Sequence, residues 1–269
     1  ENRVAAFFSA GVDSCYTFLK HRDEITDLVF IHGLEIHLDN PALRERLSAN
    51  VRKIGAAFGK NVVEIETNVR ELFDPYIDFA HWSFGIALMT ASHLLSSTFR
   101  RIFIPGGRTY NILGPTGSHP LLDPLWSTEG FEIVYDGLEM TRAGKAALLS
   151  QYDILLDSLH VCHKNEPGVY NCGRCEKCLR TMINLEINGA LDRCSAFDVP
   201  FELKHVLQMD LTDPNTESYV RENLDVLEKQ GGNMALRRAL QQVLHRPLWL
   251  RKIRRRIKGY QRGLARRFA

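Results

Sequence analysis

Five apolar residues, Val4-Ala5-Ala6-Phe7-Phe8, run directly into the polar hexamer Ser9-Ala10-Gly11-Val12-Asp13-Ser14. A short apolar run of this kind fits a strand buried on both faces, as in a parallel sheet. The residues that follow predict a helix from about Asp13 to His21. An opening of strand, polar turn and helix constrains everything after it. The chain must supply further parallel strands and the helices that cover them.

It does so repeatedly. Asp27 to His32 reads as a second strand, ending at Gly33, and Asn61 to Ile65 as a third. Ile102-Phe103-Ile104 is a fourth, stopped by Pro105-Gly106-Gly107, and Phe131 to Tyr135 is a fifth. Between them, Leu43, Leu47, Val51, Ile54 and Phe58 recur at helical spacing after Asn40-Pro41, a helix entry. Ala80 to Leu95 predicts a buried helix, Gly106 to about Gly130 a long polar loop, and Thr141 to Tyr152 a further helix. The fold class is therefore α/β: an open parallel five-stranded sheet with helices on both faces, spanning residues 1–160. A cysteine-bearing segment, 161–195, and a helical region, 196–269, follow it. In such sheets ligands sit beyond the carboxyl ends of the strands near the switch point. That directs attention to the loops around Gly11, Gly33 and Gly106.

Composition narrows the classes. With 269 residues, 45% hydrophobic and 25% charged, the chain reads as a globular protein with room for a full core. No apolar run reaches the roughly 20 residues that span a bilayer. The net charge of +2 is unevenly spread, because ten Lys or Arg and no Asp or Glu lie between His245 and Ala269. The remainder carries 24 basic and 32 acidic groups. In that tail Leu250, Ile253, Ile257, Tyr260, Leu264 and Phe268 fall at helical spacing, which predicts a basic amphipathic helix. Its expected partner is an RNA, an anionic membrane surface, the protein body or a second copy of the chain.

The hexamer is suited to phosphate. Gly11 permits a tight turn and close approach, and the following helix aims free N–H groups and its positive dipole end at the same point. Ser9 and Ser14 add hydroxyls, and Asp13 can cap the helix or hold a magnesium ion. Ser-Ala-Gly-Val-Asp-Ser resembles the SGGxDS signature of the PP-loop ATP pyrophosphatases, in the adenine-nucleotide alpha-hydrolase (HUP) superfamily, with Ala10 where glycine is usual. The resemblance implies cleavage of ATP to AMP and pyrophosphate. It also implies adenylation of a carboxylate, amide or carbonyl oxygen of a small molecule, then attack by a nitrogen or sulfur nucleophile. It further implies ATP contacts from residues 9–14, from Ile31, His32 and Gly33, and from Gly106, Arg142 and Lys145. Ser9, Asp13, Ser14 and Arg142 are the expected catalytic groups.

Six cysteines occur, and four of them, Cys162, Cys172, Cys175 and Cys178, fall within 17 positions. Two CxxC steps in a chain without a visible secretory segment read as metal ligands and as a reducing, cytoplasmic setting. Four thiolates suit a closed, structural zinc site; an iron–sulfur cluster is the alternative. With the hexamer, the cysteine pattern is similar to that of 7-cyano-7-deazaguanine synthases, over about Val4 to Leu185.

Other residues are candidates on weaker grounds. Gly107 and Arg108 follow the fourth strand; His119 and Asp123 lie in the long loop; His81 opens the buried helix. Cys15 and Cys194 are the two thiols outside the cluster. Two further readings stay open: a tRNA-modifying enzyme such as a thiolase, and a nucleotide-sensing zinc protein without turnover.

Overall fold

The computed structural model describes residues 3–247 and Trp249. The amphipathic tail expected over 245–269 therefore lies almost wholly outside the described residues. The chain opens with β1 (Val4–Phe7), α1 (Val12–Lys20), β2 (Asp27–His32), α2 (Pro41–Ala57), β3 (Asn61–Glu66) and α3 (Val69–Phe73). A π-helical turn (Phe79–Ser83) leads into α4 (Phe84–Leu94), followed by β4 (Arg101–Pro105) and β5 (Glu132–Asp136). Then come α5 (Arg142–Leu149), α6 (Asp153–Ser158), α7 (Glu176–Ile187), α8 (Leu203–Val206), α9 (Pro214–Gln230) and α10 (Met234–Leu244).

The five strands form one sheet in the order β3-β2-β1-β4-β5, every neighbouring pair parallel. This Rossmann-like order places the switch point between β1 and β4. Alternation along the strands builds two cores. Val4, Ala6, Phe8, Leu28 and Phe30 pack with α1, α2, α5 and α6 on one face. Ala5, Phe7, Val29, Ile31, Ile102 and Ile104 pack with Phe79 and α4 on the other. Helices therefore cover both faces, as the sequence predicts.

The cysteine segment is not a separate layer. Cys162, Cys172, Cys175 and Cys178 share the first core with β1, α1 and α2. A third core, of Leu179 and Ile183 on α7 with Val220, Leu236 and Leu240, makes the helical C-terminal part.

The long segment after β4 is more ordered than its composition suggests. It contains two 3₁₀ turns, Tyr110–Ile112 and Asp123–Trp126. Its backbone docks directly on α4, where a methyl on Gly85 would sit 1.6 Å from the Gly117 carbonyl oxygen. Gly85→Ala is therefore expected to cost about 1–3 kcal/mol through overpacking, read as a lower urea midpoint. Gly130→Ala, which meets nothing within 4 Å, is expected to leave the midpoint unchanged.

Candidate functional site

A cleft of about 790 Å³ opens where the carboxyl ends of β1, β2 and β4 meet, lined there by Ser9, Gly11, Ile31 and Pro105. Leu34, Phe79, Phe84 and Leu88 give it an apolar lining; Asp13, Arg142, Lys177 and Arg180 give it charge.

The hexamer forms the turn between β1 and α1, but its glycine does not make the tight bend. Gly11 has φ −84° and ψ 167°, open to any residue. The left-handed position is Ala10, at φ 56°. An L-residue there costs roughly 1–2 kcal/mol, so the bend is held by its contacts. The Ala10 carbonyl accepts from the His160 N–H at 2.9 Å. Ser14 closes the turn from within: its Oγ receives the N–H of Gly11 at 3.1 Å and of Ser9 at 3.3 Å. A methyl added at Gly11 would meet Ser9 Oγ at 3.4 Å and the His160 carbonyl oxygen at 3.6 Å, ordinary contacts that the turn could accept.

Asp13, in the first turn of α1, lies among three buried cations. Arg142 Nη1 donates to its Oδ2, and Lys145 Nζ donates to its Oδ1 at 3.2 Å. Lys145 also donates to the Gly106 carbonyl at 2.6 Å, tying α5 to the end of β4. Burial alone would raise the Asp13 pKa, but the charges of Arg142, Lys145 and Arg180 outweigh it and hold the carboxyl at about 2. Arg180 sits 4.0 Å over the Tyr219 ring, and the Tyr219 hydroxyl donates to the Gly107 carbonyl at 3.0 Å. Arg142 Nε is buried without a hydrogen-bond acceptor, and Arg180 Nε has only an ion pair with Glu176 Oε1 at 3.4 Å, outside hydrogen-bond geometry. Such donors are costly unless an anion meets them.

The other expected contacts divide. Ile31 lines the cleft, whereas His32, its neighbour on the strand, points to the opposite face. There His32 Nε2 lies 2.9 Å from Glu64 Oε2, and Ser48 Oγ donates to the same oxygen at 2.6 Å. Gly33 makes a turn at φ 94° that carries Leu34 and Glu35 to the cleft. Gly106 packs against Tyr135, with its N–H on the Asp136 carbonyl at 2.8 Å. Gly107 borders Asp13, while Arg108 turns to the Gly114 carbonyl at 3.1 Å. His119 and Asp123 hold their own loop together: Asp123 accepts from Ser118 Oγ at 2.5 Å and from the His119 N–H at 3.1 Å. His81 is exposed and paired with Asp78. Cys15 is fully buried, which pushes its thiol well above the usual range; burial also raises Cys194, to about 11.

The four clustered cysteines are all buried, and their sulfurs lie within 4.8 Å of one another. Cys172 and Cys178 Sγ are 4.0 Å apart. Metal–sulfur bonds of about 2.3 Å at tetrahedral angles would place sulfurs roughly 3.8 Å apart, so the set fits one ion. A cluster, with iron and sulfide between its thiolates, would need them further apart. Backbone N–H groups of Lys164, Cys175 and Cys178 already point at sulfurs. Gly173, at φ 62°, forms the knuckle. Asn171 is wholly buried and fixes the segment with four bonds, to the N–H groups of Val161 and Cys162 and the carbonyls of Leu159 and Ala196. Cys175 then caps α7, the helix that carries Lys177 and Arg180 to the cleft. Neither family models nor curated proteins match this chain in sequence.

The motifs do not single out Arg180 or His160. The signal for Arg180 is positional, on the helix that the cysteines start. His160 has no motif; it lines the cleft, buried, with Nε2 unpartnered.

The folded Asp13 value of about 2 lies below the ordinary 3.8. Its stabilisation is thus present above pH 4 and is lost as pH falls through 2, a contribution of about 2 kcal/mol. In urea titrations Asp13→Asn is expected to be less stable than the wild type by about that amount at pH 6. The two should converge as pH falls towards 2.

Proposed function

We propose that the chain is an ATP-using enzyme of the PP-loop pyrophosphatase type. It cleaves ATP to AMP and pyrophosphate and adenylates an oxygen of a small molecule, which a nitrogen nucleophile then attacks. The observation that carries this reading is the charge arrangement around Asp13. A turn at the end of the first strand faces two buried arginines: Arg142, whose Nε lacks an acceptor, and Arg180, whose Nε has Glu176 at 3.4 Å.

The residues divide the work as follows. The N–H groups of the first turn of α1 and the Ser9 hydroxyl receive the phosphates, while the Ser9 and Gly11 N–H groups hold the turn on Ser14 Oγ. Arg142 and Arg180 neutralise charge on the departing pyrophosphate, with Lys177 at the rim. Lys145 fixes α5 against β4 so that Arg142 is held in place. Asp13 stays ionised at neutral pH, and in this reading its carboxylate, which already accepts from Arg142 and Lys145, also meets the magnesium that accompanies ATP. The apolar lining from Leu34, Phe79 and Leu88 takes the adenine. Cys162, Cys172, Cys175 and Cys178 hold zinc, which supplies a closed structural cross-link and no open position. The fully buried Cys15, kept as a neutral thiol, favours this reading over a sulfur-carrying thiolase.

Three measurements test the proposal. In titration calorimetry with Mg–ATP, Arg142→Gln is expected to weaken binding at least tenfold. ³¹P NMR after incubation with ATP, candidate acids and ammonium should show AMP and pyrophosphate. ADP and phosphate as the products would overturn the cleavage site, and stable binding without AMP across the candidates would favour the sensor reading. Elemental analysis is expected to give one zinc per chain, lost in Cys178→Ser and kept in Cys194→Ser. Iron with acid-labile sulfide would overturn zinc.

A further inference from the structure

Two segments of the chain are almost free of charge. From Phe79 to Thr98 there is no Asp, Glu, Lys or Arg, and from Thr109 to Thr128 there is only Asp123. That aspartate is 2% exposed and bonded inside its own loop. In a chain that is 25% charged, forty such residues are a marked departure.

The fold brings the two segments together. Gly117 packs on Gly85 of α4, and the Trp126 ring lies 6.0 Å from His93 near the far end of that helix. The surface they share is apolar. Ile86, Thr90 and Leu94 follow one another at four-residue spacing on the outer side of α4, with Trp82 one turn before them. The turn that contacts α4 through Trp126 exposes Leu121, Leu122, Leu125 and Trp126 itself. The exposed fraction runs from 49% at Ile86 and Trp126 to 77% at Leu125.

An aromatic side chain carries about 150–250 Å² and a leucine somewhat less, so these seven apolar side chains present on the order of 800 Å². The largest apolar patch on a typical monomer is about 300–600 Å². A stable interface takes about 800 Å² from each partner. The patch therefore matches one side of a dimer. It holds no Lys or Arg, the residues that an anionic membrane surface would select.

We infer that this face is a two-fold interface at which a second copy of the chain packs α4 and the Leu121–Trp126 turn against their own equivalents. Such a contact is self-complementary and closes at two subunits. The opposite side of α4 presents Phe84 and Leu88 to the cleft. The helix is thus the single wall between the subunit contact and the candidate site.

Sedimentation velocity of the full chain at about 1–50 µM tests the inference. The wild type is expected at twice 30.7 kDa. Ile86→Lys with Leu125→Lys is expected to raise the dissociation constant at least 100-fold, with an unchanged far-UV circular dichroism spectrum and a urea midpoint that no longer rises with protein concentration. Leu72→Lys, on α3 and 64% exposed, should leave the dimer intact and serves as the control. A wild type that stays monomeric at 50 µM would overturn the inference, as would a dimer that survives the double substitution. Wild-type flotation with phosphatidylglycerol–phosphatidylcholine vesicles, lost in the double variant, would give the face to a membrane instead.

Discussion

The ion cluster around Asp13 joins parts of the protein that are far apart in sequence. The carboxylate stands on α1, immediately after the first strand. Arg142 and Lys145 come from α5, after the last strand, and Arg180 comes from α7 in the helical part. Three cations held this closely repel one another, and burial denies them solvent. Asp13 meets Arg142 and Lys145, and Glu176 lies 3.4 Å from Arg180 Nε, while Arg142 Nε has no acceptor. The cluster organises three helices around the cleft.

The four cysteines act on the same cleft from its other side. They belong to the core that also contains Phe8, Ala10 and Val12, and Asn171 stitches their segment to the chain before and after it. His160, two residues before Cys162, donates its N–H to Ala10. The strained alanine of the turn is thus secured by the strand of backbone that leads into the sulfurs.

The sheet was legible because each strand is a short apolar run and each crossover has helical spacing. Strand ends shifted by a residue or two, as at β4 and β5, where pairing extends into Arg101 and Asp136. Less was legible where tertiary contacts decide. The helix expected over Thr141 to Tyr152 stops at Leu149, and α6, over Asp153–Ser158, was not expected. The segment after β4 reads as loose from its Gly, Pro and Ser content, yet docking on α4 orders it. In the site, the clustering of Cys162, Cys172, Cys175 and Cys178 could be read directly from their local spacing. His32 could not be placed by its neighbourhood alone, since one step along a strand exchanges cleft for opposite face. Arg180 depends on where a cysteine knuckle aims a helix, which no local pattern encodes.

The start of α7 inside the sulfur cluster has a consequence for how the protein would fail. Lys177 and Arg180 ride on a helix whose first turn is fixed by Cys175 and Cys178. Should the four sulfurs hold an ion, its loss would release the first turn of that helix and move both cations at the cleft together. Because the same sulfurs pack in the core beneath the turn, the disturbance would reach the sheet as well as the cleft.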